Sequence, residues 1–310
     1  MSRGQNEIGD GLRLRIIEKR ARILRLVREF FQKKGYVEVE TPILIPYPIP
    51  EANIDPPKAE GGYLHPSPEL CMKMLLSCGL KKIYQITRCF RKGEEGRYHM
   101  VEFTMLEFYE QDKGYHSMME LLEELIGELV LKVEGREKIN YRGFQIDLTP
   151  PWPRIPFGEF FERITGLNLE KAIQENIFED LLTSKVEPSL PVLRPCFLVD
   201  YPAQLASLAR LKDPHTAERF ELYMGGLELA TGFSGLLDPH EQLRRFIAEN
   251  EKRASMGKEI YPISESFLSA ISKIDEAAGV ALGIDRLMMI LLNQDEISLV
   301  QPLTYKDLIP

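Results

Sequence analysis

The sequence predicts an α+β fold, with one mainly antiparallel sheet flanked by helices. Alternating apolar and polar residues occur chiefly in paired segments that read as hairpins, at 82–110, 139–148 and 219–233. Helical stretches are grouped between these pairs, whereas a parallel sheet needs a helical crossover after each strand. No linker-like stretch divides the chain, so 12–310 reads as a single domain behind a flexible start over 1–11.

The chain of 310 residues is 44% hydrophobic and 28% charged, a composition that supports a large core and excludes disordered and fibrous classes. No apolar run approaches the ~20 residues that span a bilayer, and the first residues lack a signal-peptide core, so the expectation is a cytoplasmic protein without membrane association. Its 39 Lys and Arg against 47 Asp and Glu leave a net charge of −8, which argues against a general nucleic-acid coat. Cys71, Cys78, Cys89 and Cys196 form no CxxC pair and the histidines show no ligand spacing, so reduced structural thiols are expected and no zinc site.

In chain order, an amphipathic helix is expected over 12–34, with Ile16, Ile23, Val27, Phe30 and Phe31 at helical spacing and Gly35 as its stop. Its other face carries nine Lys and Arg against Glu18 and Glu29, which is either a solvated face or a docking surface for an acidic partner. A strand over 36–42 closes at a proline, and a Pro-rich loop to 57 precedes a helix over 67–79. Strands at 82–90 and 101–110 follow. Ser117 to Glu120 then reads as a capping box opening a helix that ends near 133. A small hairpin at 139–148, helical segments over 157–184 and a strand at 196–201 come before the hairpin at 219–233. A polar helix over 239–256, a glycine-bearing strand at 277–284 and an apolar helix at 285–293 complete the list.

Three segments carry chemistry. In the hairpin at 82–110, alternation puts Arg91, Phe103, Glu107 and Tyr109 on one face and Tyr84, Ile86, Phe90, Leu106 and Phe108 on the core side. An arginine fork suits phosphate or carboxylate, and an aromatic ring suits a purine, although a solvated hairpin face would look the same. In the hairpin at 219–233, Gly225-Gly226 occupy the turn, so counting outward pairs Tyr223 with Glu228 and Glu221 with Ala230. Glu221 and Glu228 then lie diagonally on one face, about 7–8 Å apart. Two such carboxylates suit Mg²⁺ held together with substrate phosphates, or are simply exposed on a wet sheet. The third segment is Gly279-Val-Ala-Leu-Gly-Ile-Asp-Arg286, whose small residues allow close approach of a ligand. It lacks Rossmann and P-loop spacing.

Together these segments resemble the three signature motifs of class II aminoacyl-tRNA synthetases: the first helix with Gly35 to Pro42, Phe90-Arg91 through His99 to Glu107, and Gly283-Ile-Asp-Arg286. The resemblance covers about 12–305. Ser67-Pro-Glu69, EFTMLEFY and ERFELYMGGLELATGF are similar to the lysyl branch, and above all to the elongation factor P (R)-β-lysine ligase family.

That resemblance implies a class II synthetase-type catalytic domain without an anticodon-binding domain. It further implies adenylation of (R)-β-lysine or lysine with ATP and Mg²⁺, and transfer to a lysine side chain of elongation factor P without tRNA. By the same likeness, Arg91 would bridge the substrate carboxylate and the α-phosphate, with Glu94 as the acidic partner in its loop. Phe103 and Arg286 would sandwich adenine beside Gly283, and His99 would touch phosphates. Glu221 and Glu228 would hold Mg²⁺, with Arg91, Arg286 and Glu228 forming the catalytic set. Ser67, Glu69, Glu107, Tyr109, Thr231 and Ala281 would line the amino-acid pocket, Ala281 where tRNA-charging relatives tend to have glycine. A homodimer through the first helix and the 36–42 strand is also implied. Two positions depart from the family pattern: Thr231 stands for an asparagine, and Gly235 for a glutamate that would hold a distal ammonium. The alternatives are a minimal lysyl-type tRNA synthetase or an amide synthetase for another amino acid.

Overall fold

The computed structural model describes residues 3–309. Helix α1 (Arg3–Lys33) leads to strand β1 (Val37–Glu38), followed by β2 (Leu44–Ile45), β3 (Lys58–Ala59), β4 (Gly62–Leu64) and helix α2 (Glu69–Ser77). The hairpin β5 (Lys82–Phe90) and β6 (Glu102–Gln111) precedes α3 (Tyr115–Glu134), β7 (Lys138–Tyr141), β8 (Phe144–Asp147) and β9 (Arg154–Pro156). Short helices α4 (Phe157–Thr165), α5 (Leu169–Gln174) and α6 (Phe178–Leu181) lead to β10 (Cys196–Pro202), β11 (Thr216–Met224) and β12 (Leu227–Ser234). Helices α7 (Pro239–Ser255) and α8 (Glu265–Ile271), strand β13 (Ala277–Gly283) and helix α9 (Ile284–Leu291) follow.

Eight strands form one sheet in the order β1-β5-β6-β13-β12-β11-β10-β9. Only the edge pairs β1–β5 and β9–β10 are parallel, so the mainly antiparallel α+β expectation holds. Tyr84, Leu106, Phe108, Phe220, Leu222, Val280 and Leu282 pack on one face with apolar residues of α1, α3 and α9. The alternate residues of the same strands face the other way, where α2, the loop before it and the segment 206–208 leave a cleft.

Several details differ from the sequence expectation. Helical backbone begins at Arg3 rather than 12. The strand over 36–42 contracts to Val37–Glu38. The Pro-rich loop contributes β2 to a small sheet, β2-β4-β3, whose other two strands follow the loop. Ser117 does not cap α3: Gly114 is the cap residue, and the free Tyr115 N–H donates to Ser234 Oγ of β12 at 2.9 Å.

The first helix's basic face is mostly neutralised within the chain. Arg13 pairs with Asp307, Arg28 with Glu38 and Lys34 with Glu124, while Arg20 is buried against Asp285. The reading of this face as a docking surface for an acidic partner loses its support there. All four cysteines are free thiols. No helix among the described residues is long and apolar enough to cross a membrane.

Candidate active site

Strand register assembles the site. One row across the sheet reads Glu221, Thr231, Ala281, Glu107, and the next reads Arg219, Phe233, Gly279, Tyr109. The rows are two residues apart, about 6.6 Å along the strands. The pairing of Glu221 with Thr231, rather than Ala230, corrects the sequence count: Tyr223 still faces Glu228, but Leu222 faces Ala230, leaving Leu229 as the extra residue of a β-bulge. The bulge lets Glu228 and Thr231, three residues apart, meet on the cleft side, where Thr231 Oγ1 donates to Glu228 Oε1 at 3.3 Å.

The cleft holds two adjoining cavities. The outer one, about 350 Å³, is lined by Arg91, Glu94, His99, Phe103, Gly283 and Arg286 among others. The inner one, about 330 Å³, is lined by Ser67, Glu69, Glu107, Tyr109 and Glu221 among others. Arg91, Glu228, Thr231 and Ala281 border both. Every site residue expected from the sequence therefore lies on one or both of these cavities.

In the outer cavity, the Arg91 guanidinium lies 5.2 Å from the Phe103 ring centroid and 3.7 Å from Glu94. Arg286 is held by the Glu228 carbonyl at 2.7 Å and the Tyr98 carbonyl at 3.3 Å. Its Nη2 donates to His99 Nε2 at 2.6 Å, which requires a neutral ring protonated on Nδ1. Desolvation, and then the Arg286 charge, lower the His99 pKa and favour that neutral form. Phe103 and Arg286 thus stand on walls of one cavity, as partners on either side of a planar group must.

The inner cavity is acidic. Glu107 accepts from Ser67 Oγ at 2.6 Å and from the Tyr109 hydroxyl at 2.9 Å, yet burial and then the charge of Glu69 raise its pKa to about 8. Gly279 is required beneath Tyr109, because a Cβ there would lie 2.2 Å from the ring. Glu221 accepts from Arg219 at 2.7 Å, Tyr201 at 2.5 Å and Tyr223 at 2.9 Å. Burial, and then Glu228, raise its pKa despite these donors.

Among the described residues no group of three or more His, Cys, Asp or Glu makes a metal cage. The pair Glu221 and Glu228 instead fits Mg²⁺ of the kind that takes one or two carboxylates and completes its shell with phosphates. Their mutual repulsion is the observation in favour, and Glu221 retains lone-pair capacity beyond its three donors.

Sequence reasoning missed Glu51, Lys73 and Arg219. Glu51 and Arg219 line the inner cavity. Lys73 lies behind its wall, 2.6 Å from Glu69 and 1% exposed. An i,i+4 Glu–Lys pair in an otherwise apolar helix was the available signal for Lys73. For Glu51, in an irregular loop, there was none.

The family model for class II tRNA synthetases (D, K and N) matches residues 12–306. An elongation factor P (R)-β-lysine ligase of Vibrio cholerae is 37% identical over 92% of this chain and 93% of its own length. One from Photorhabdus laumondii is 37% identical over 90% and 92%. A lysine–tRNA ligase of Pelotomaculum thermopropionicum is 36% identical over 91% of this chain, which spans 62% of that relative's length.

Proposed function

We propose that this chain, which belongs to the class II tRNA synthetase family of the D, K and N group, is an ATP-dependent, AMP-forming aminoacyl ligase whose acceptor is a protein. The observation that carries the reading is the placement of Arg91 on the border between an outer cavity with aromatic and cationic walls and an inner acidic one. ATP fits the outer cavity, with adenine between Phe103 and Arg286 and its ribose side against Gly283. A cationic amino acid fits the inner cavity, among Ser67, Glu69, Glu107 and Tyr109. Its carboxylate then points at Arg91 and Thr231.

The reaction needs no protein nucleophile. The amino-acid carboxylate attacks the α-phosphorus and pyrophosphate leaves, giving the aminoacyl-adenylate. Arg91 spans carboxylate and phosphate, holding the two in line and stabilising the charge that builds on the phosphoryl oxygens. Neutral His99, fixed by Arg286, is placed to donate to phosphate from Nδ1. Glu221 and Glu228 would hold Mg²⁺, which supplies neutralisation of the phosphate charge. In the second half-reaction an acceptor amine attacks the mixed anhydride and AMP leaves.

Likeness to the Vibrio and Photorhabdus ligases supports lysine or (R)-β-lysine as the amino acid and elongation factor P as the acceptor; a lysine side chain of that factor as the acceptor group, and the cytoplasm as the compartment, follow from the resemblance in sequence. The same reading makes the chain one catalytic domain and a homodimer through α1 and β1, where Leu14 and Val37 are exposed at 57% and 49%. ATP–pyrophosphate exchange with lysine and (R)-β-lysine tests the first half-reaction. Light scattering at micromolar concentration tests the dimer. Charging of tRNA by the purified chain would instead favour a minimal lysyl-type synthetase.

A further inference from the structure

The hairpin β7–β8 turns at Arg142-Gly143, between the paired residues Tyr141 and Phe144, and both turn residues have positive φ, 51° and 80°. Asn-Gly or Gly-Gly serves a turn of this kind readily, whereas the Cβ of an arginine is crowded in the left-handed region. The strained residue is held by its own contacts. Its N–H donates to Asn293 Oδ1 at 3.0 Å, just past the end of α9. Its Nη2 donates to the Tyr98 hydroxyl at 2.5 Å and to the Asp295 carbonyl at 3.3 Å, and the guanidinium lies 4.9 Å from the Tyr98 ring centroid.

Tyr98 lines the outer cavity, and Arg142 does not. The Tyr98 carbonyl and the ring of the next residue, His99, are two of the acceptors that fix the Arg286 guanidinium. The loop that carries them is tied a second time to the segment after α9. Arg97 Nε donates to the same Asp295 carbonyl at 2.9 Å, Arg97 also pairs with the Asp295 carboxylate, and Ile297 N donates to the Arg97 carbonyl at 3.0 Å. Arg286 sits in the first turn of α9 and Asn293 follows its last, so Arg142 joins the far end of that helix to the loop that grips its near end. A residue persists in a sparsely populated backbone region only where its surroundings over-determine it, and such residues gather at functional sites.

We propose that Arg142 is a positioning residue for the nucleotide. It fixes Tyr98, so that the Tyr98 carbonyl and His99 hold Arg286 on the wall of the outer cavity, and the strained turn is the cost of that hold. This rests on the reading that ATP occupies the outer cavity.

The test is Arg142→Asn, a residue that suits the turn and keeps the N–H bond to Asn293. ATP with Mg²⁺ and no amino acid is titrated into the full chain by calorimetry, and thermal unfolding is followed without ATP. The Kd for ATP should rise at least tenfold, while the unfolding midpoint stays at or above wild type, or falls by no more than about 2 °C. Tyr98→Phe, which keeps the ring and removes the hydroxyl, should weaken ATP binding through the same contact, so the double variant should bind within threefold of Arg142→Asn alone. A smaller rise in Kd, a larger fall in the midpoint, or a double variant weaker than that limit overturns the inference while leaving the ATP reading standing. Absence of ATP binding to the wild-type chain overturns the reading on which it rests.

Discussion

Arg20 of the first helix forms a buried ion pair with Asp285, at 2.6 Å, beneath the outer cavity. The same guanidinium donates to Thr104 Oγ1 at 2.8 Å and to the Val300 carbonyl at 3.1 Å. Asp285 in turn accepts from Thr104 N at 2.7 Å and from Gln301 Nε2 at 3.1 Å. Thr104 and Asp285 line the cavity beside Phe103 and Arg286, so α1 holds the nucleotide end of the site in place. Removing one partner strands a buried charge. Arg20→Met should therefore destabilise the fold by about 3–5 kcal/mol in urea unfolding and weaken ATP binding in calorimetry. A variant of wild-type stability and ATP affinity would remove this role.

Glu107 makes the pH dependence specific. Burial raises its folded-state pKa to about 8, above the ordinary carboxylate value of the unfolded chain. The folded state thus binds the extra proton, and stability is fully present below the unfolded value and falls as pH rises toward 8. An ammonium substrate needs the ionised form, so the KM for the amino acid should fall as pH rises from 6 to 8. Glu107→Gln should flatten the stability slope in pH-dependent unfolding and abolish the trend in KM. An unchanged slope in the variant would contradict the assignment.

Gly279→Ala tests the packing under the amino-acid pocket. The added methyl would meet the Tyr109 ring at 2.2 Å, and the ring is walled in by the sheet, so Tyr109 must move. Overpacking of this kind costs about 1–3 kcal/mol. The KM for the amino acid should rise at least tenfold while calorimetric ATP affinity stays near wild type, because Gly279 borders only the inner of the two cavities.

Arg91→Ala removes the one guanidinium that borders both cavities. Loss of a donor aimed at developing charge costs about 10²–10³ in rate, so pyrophosphate exchange should drop by at least that factor. Circular dichroism should show an intact fold, since Arg91 forms no part of a buried core cluster. Exchange within tenfold of wild type would contradict the mechanism.

What the sequence made legible was periodic. Alternation along 82–110 correctly sorted Tyr84, Leu106 and Phe108 to the core and Glu107 to the cleft, because a half-buried strand obliges successive side chains to take opposite environments. The Gly225-Gly226 turn set the register of the second hairpin as far as Tyr223 and Glu228, and the bulge at Leu229 shifted it beyond that point, with no residue type marking it. Arg20 looked like one more charge on a basic helix face, because its burial depends on Asp285 over 260 positions later in the chain. Glu51 was hidden for a similar reason: the clamp that presents it comes from Arg253 on a distant helix.

The most direct measurement of the central claim is the intact mass of elongation factor P after incubation with the enzyme, ATP and either lysine or (R)-β-lysine. The account predicts an increase by one aminoacyl residue that requires ATP and disappears with Arg91→Ala. An unchanged mass, with aminoacylated tRNA formed by the same preparation, would contradict it.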